Sequence, residues 1–139
     1  MISAMTILAI DYGDKRVGIA YGNSIARIAN PSEVFENNDD IYLKLLDLAK
    51  ELNVRRVVVG LPRNMDGSLG YQALATQEFA GQLGAKLDVP IILQEETLSS
   101  LEAKQAFPAA PIDAAAAAII LQRYFDEHNS EELNDLPGK

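Results

Sequence analysis

Asp11, Glu96 and Asp113 are the residues of this chain whose setting could let them do chemistry. Asp11 closes an apolar, β-branched run (Ile7 to Ile10), Glu96 follows another (Val89 to Leu93), and Asp113 heads an alanine-rich stretch. Carboxylates gathered at one rim of a sheet suit a hard divalent cation, Mg²⁺ or Mn²⁺. Such ions activate water and neutralise a leaving phosphate oxygen. Each acid also has a plainer reading. Asp11, in Asp-Tyr-Gly, could set an Asx turn. Glu95-Glu96 could be a solvated pair, and Asp113 could complement a helix dipole. Their joint placement is what points to a site.

Other chemistries find no footing. The chain has no cysteine and one histidine, His128, placed to complement a helix C-terminus. No zinc pattern, G-x-S-x-G elbow or Walker lysine loop is present. Lys15, Arg16, Arg55, Arg56 and Arg63 are the basic residues that could gather near the loops, with solvated surface as their default.

The elements that must position these acids follow from periodicity. Residues 7–20 read as a hairpin, with Gly13 and Asp14 able to adopt the left-handed backbone of a tight turn. Residues 26–35 form a third strand that Pro31 assigns to the sheet margin. Asn37 to Asp40 introduce a helix over 41–52, which Asn53 stops. Val57-Val58-Val59 mark a buried parallel strand over 54–60. A loop over 61–70, a helix over 71–87 and a strand over 89–94 follow. Ser99 and Glu102 suggest a capping box for a helix ending near 107. After Pro108 to Pro111 the last helix spans 112–127, its Ala114 to Ala118 run letting it approach the sheet closely.

Strands joined by short turns pair antiparallel, and those reached through helices join in parallel by right-handed crossovers. The expectation is one α/β domain over 1–128, a mixed sheet with helices on both faces, and a polar tail over 129–139. If the first, fourth and fifth strands lie side by side, Asp11 and Glu96 stand about 9–10 Å apart, twice the strand spacing. Gly60 then adds no bulk between them.

At 139 residues and 48% hydrophobic the composition is that of one globular domain. The absence of cysteine permits a reducing cytoplasm. The first ten residues lack the basic start of a signal peptide, and no apolar run is long enough to span a membrane. The formal charge of -8 runs against a broad nucleic-acid face, yet it leaves room for a local basic strip or for acids gathered around a cation.

In sequence order, three motifs resemble the YqgF (RuvX) family. They are Asp11-Tyr12-Gly13 with Lys15-Arg16 and Gly18, Val58 to Pro62 with Asn64 to Ser68, and Asp113 with Ala115-Ala116 and Ile120-Leu121-Gln122. The resemblance implies an RNase H-like sheet of order 3-2-1-4-5, a cytoplasmic location and Mg²⁺- or Mn²⁺-dependent phosphodiester hydrolysis. Structured RNA is the implied substrate, chiefly the precursor of 16S ribosomal RNA, with branched DNA such as a Holliday junction as the alternative. It carries catalytic and metal-holding roles onto Asp11, Glu96 and Asp113. Lys15, Arg16, Asn64 and Ser99 are the expected substrate contacts. Two departures lower the expected grip on phosphate: Thr97 stands where the family pattern has arginine, and residues 107–111 replace a longer basic loop. A non-catalytic assembly module is the rival from another class, and a homodimer through the last helix or an edge strand is compatible with the pattern.

Overall fold

In the computed structural model, residues 4–64, 66, 68–96, 100–129 and 133 are described. Residues 7–10 are buried without exception, and alternate side chains serve two different cores. Leu8 and Ile10 join Val17 and Ile19 under the first two helices; Ile7 and Ala9 join Val58 under the last. Such two-sided burial requires a central strand with helices on both faces.

That strand is β1 (Thr6–Tyr12), followed by β2 (Arg16–Asn23), β3 (Asn30–Glu36), α1 (Ile41–Glu51), β4 (Val54–Pro62), α2 (Tyr71–Lys86), β5 (Ile91–Glu96), α3 (Ser100–Ala106) and α4 (Ile112–Glu127). The sheet order is β3-β2-β1-β4-β5, antiparallel from β1 to β3 and parallel across β1, β4 and β5. The expected RNase H-like topology is present. Pro31 lies on the edge strand β3, close to an irregularity in its pairing with β2. Asn53, at φ 53, ends α1 in the left-handed conformation that asparagine tolerates.

Phe79 anchors one face, stacked on Tyr12 at 4.1 Å and near Tyr42 at 5.6 Å. On the other face the alanines of α4 are buried, as a thin helix pressed on a sheet requires.

Several expectations need correction. The β1–β2 turn does not use left-handed backbone at Asp14. Gly13 is needed there for space, since a Cβ would lie 2.7 Å from the Arg16 carbonyl oxygen. β3 begins at Asn30 rather than residue 26, β4 continues to Pro62, and β5 runs through Glu95 and Glu96 instead of ending before them. Arg56 is not solvated: it is 3% exposed, at the sheet end remote from the acids, and donates to the Leu133 carbonyl (2.8 Å) and Tyr124 hydroxyl (3.3 Å). Leu133, placed in the expected polar tail, is wholly buried in the α4-side core. Thr97 and Ser99, with the capping box proposed for Ser99, lie outside the described residues.

Candidate active site

The site begins with the hairpin register. Asp11 pairs with Gly18 across β1 and β2, and its side chain follows Ile7 and Ala9 onto the face covered by α4. Gly18 has no side chain because the first turn of α4 occupies that space; a Cβ would run into the Asp113 carbonyl oxygen and the Ala114 nitrogen. One glycine thus lets α4 settle on β2 and sets Asp113 beside Asp11. The two acids come from positions about a hundred residues apart, and only this close approach joins them.

Asp11, Glu96 and Asp113 all line one cavity of about 270 Å³ at the carboxyl ends of β1, β4 and β5, with Gly60, Gln72 and Ile120. Burial, and then the charge of Asp113, raise the Asp11 pKa from 3.8 to about 6. Asp113 is half-buried and accepts a 2.8 Å hydrogen bond from the Arg16 Nε.

Glu96 lies farther from this pair than the strand-spacing argument expected. Continuing the register beyond Ile10↔Val59 puts Gly60 beside Asp11, and Gly60 pairs with Gln94; Glu96 pairs with Pro62. Glu96 is therefore one pleat beyond the Asp11 row, with its Cα roughly 12 Å from that of Asp11. Its carboxylate is ion-paired with Arg123 on α4, which also reaches Glu102 on α3 at 3.0 Å. Arg123 lies ten residues beyond Asp113, about 15 Å along the helix. Among the described residues no three acids converge as a ready-made cation site.

The donor set nevertheless fits Mg²⁺ or Mn²⁺. It consists of carboxylates alone, and while Glu96 Oε1 is held by Arg123, its Oε2 is buried without a hydrogen bond. Asp11 and Asp113 are the adjacent pair, enough for an ion that keeps several waters and completes its shell with phosphate oxygens.

Lys15 is exposed in the hairpin turn beside Arg16. Asn64 does not line the cavity; its backbone and side-chain N–H groups both donate to Ser68, shaping the loop between Pro62 and Gln72. Arg63 pairs with Glu95. Gly60 leaves room, but for Ile120 of α4, whose Cδ1 a Cβ would strike. Gln72 and Arg123 were not legible as site residues. Gln72 is fixed by a 2.8 Å bond to the Tyr12 carbonyl, a contact across sixty residues that leaves no local pattern. Arg123 sits on a helix face that periodicity alone marks as surface.

Comparison with known proteins adds three findings. The model of the RuvX family, described as Holliday junction resolvase, matches residues 5–127. Proteins named "Putative pre-16S rRNA nuclease" are 40% identical in Bordetella parapertussis (87% of this chain, 93% of that protein) and 37% identical in Paraburkholderia phymatum (94% and 91%). In fold, the chain is similar to Thermus thermophilus RuvC in complex with a Holliday junction substrate. That likeness has a TM-score of 0.55 and 17% identity, and it covers 88% of this chain and 94% of the other.

Proposed function

The chain belongs to the RuvX family, and from that premise we propose that it is a divalent-cation-dependent nuclease. Its substrate in this reading is structured RNA, with maturation of the 5′ end of pre-16S ribosomal RNA as its task. The observation that carries the reading is the Asp11–Asp113 pair, built at one cavity by the fit of α4 over Gly18.

In this reading Asp11 and Asp113 hold the cation, and Glu96, from the far wall, orients the attacking water. Lys15 and Arg16 contact the phosphates flanking the scissile bond. Asn64 and Ser99 are the further substrate contacts of this reading, carried over from the family pattern. A bound Mg²⁺ or Mn²⁺ would neutralise the developing phosphate charge and acidify the attacking water. Water adds to phosphorus as the P–O bond to the leaving ribose oxygen breaks, the water's proton passing to solvent and the departing oxygen taking up a proton from solvent to become a hydroxyl.

The family description favours a second substrate, the four-way DNA junction. One assay addresses both. The purified chain and its Asp11→Asn variant are incubated with an end-labelled precursor spanning the 5′ end of 16S RNA and with a four-way junction, in Mn²⁺ and in EDTA. RNA cleavage that requires both Mn²⁺ and Asp11 is the expected result. Junction cleavage alone would transfer the function to DNA. No cleavage of either by the folded protein would leave an assembly module.

A further inference from the structure

We propose that Arg16 is an exchangeable counter-cation for Asp113: divalent-cation binding at the Asp11–Asp113 pair releases its guanidinium to the phosphodiester, so that cation and nucleic acid tighten each other's binding. This rests on the nuclease reading and adds a means of regulating the same site.

The geometry sets up the competition. Arg16 Nε donates to Asp113 Oδ2 at 2.8 Å, so the guanidinium holds a carboxylate that the cation would need. The pair is accessible, with the two side chains 62% and 28% exposed, and an ion pair in such a setting is weak enough to be exchanged. A dication at the same carboxylate has twice the charge and competes directly.

The hairpin keeps a released Arg16 at the rim. Arg16 is the first residue of β2, two residues before Gly18, on the face where the first turn of α4 rests. Lys15 precedes it in the exposed turn, so two cationic side chains would face an incoming phosphate together. Across the sheet its register partner is Glu36, yet Arg16 pairs with Asp113. Arg123 is a poorer candidate for exchange: Glu96 is only 4% exposed, and Glu102 provides a second anchor. Because linkage is reciprocal, a cation that displaces Arg16 from Asp113 must raise phosphodiester affinity as much as the phosphodiester raises cation affinity.

The test titrates Mn²⁺ calorimetrically, at low ionic strength, into the wild-type chain, Arg16→Gln, Lys15→Gln and Asp113→Asn. Arg16→Gln should bind Mn²⁺ about fivefold more tightly, the scale of an exposed ion pair removed. Lys15→Gln, with the same charge change and no bond to Asp113, should change affinity less than about twofold. Asp113→Asn should bind more weakly. Anisotropy of a labelled RNA stem-loop, with Ca²⁺ present to hold back turnover, should show a larger cation enhancement of affinity in the wild type than in Arg16→Gln, which keeps only the cation's own contact with phosphate. Unchanged or weaker Mn²⁺ binding in Arg16→Gln, or equal tightening in Lys15→Gln, overturns the exchange while leaving the nuclease reading intact. A wild-type chain that binds no Mn²⁺ overturns both.

Discussion

Asp11 carries a testable cost of its position. With its folded pKa raised to about 6 from 3.8, the folded chain holds this proton more tightly than the unfolded chain does. The group costs nothing below pH 3.8; the cost grows between pH 3.8 and 6 and is complete above that, up to about 3 kcal/mol. Asp11→Asn should therefore melt higher than the wild type at pH 7.5, the difference closing by pH 3.5, even as cleavage is lost. Thermal melts across that range check the sign. A stability gain with lost activity would mark a residue kept for function, as strained or uncompensated groups at active sites often are. The acid's identity was legible in the sequence because it ends a strand; its altered proton affinity was not, since it depends first on burial in the folded site and then on the charge of Asp113 arriving from the far end of the chain.

At the level of elements, the docking of α4 decides the site. Gly18→Ala forces a methyl group against backbone atoms of Asp113 and Ala114, which can move only if the helix lifts. A destabilisation of about 3 kcal/mol is expected, together with loss of cation affinity as Asp113 is displaced. Gly60→Ala meets Ile120 Cδ1, the end of a flexible side chain, and should cost about 1–2 kcal/mol. Urea denaturation of both variants tests this ranking; equal costs would mean that α4 is not held by its first turn. The motif glycine at 18 was visible in the sequence, but what it makes room for was not.

For the molecule as a whole, stability depends on both cores and on a residue beyond the end of α4. Leu133 is fully buried, and its carbonyl accepts a bond from the buried Arg56. Leu133→Ala should destabilise by about 2–4 kcal/mol. Leu43→Ala, on the exposed side of α1, should stay within about 0.5 kcal/mol. Differential scanning calorimetry should show one transition in each case, shifted only in the first. Composition around Leu133 is polar, so the surrounding residues gave no sign that the chain returns to the core.

The sequence by itself determined the succession of elements along the chain and the two-sided central strand, and it singled out the three acids as candidates. These follow from local signals: apolar period, turn residues and crossover handedness act over a few neighbouring residues. The sheet order 3-2-1-4-5 came with the family resemblance. Tertiary structure alone decided which acids meet. β-Pairing register moves a side chain by one pleat without changing any local pattern, which is why Glu96 stands beyond the Asp11 row rather than opposite it. The ion pairs that Arg16 and Arg123 make with the site acids depend likewise on α4 lying over the sheet, a contact between segments distant in the chain.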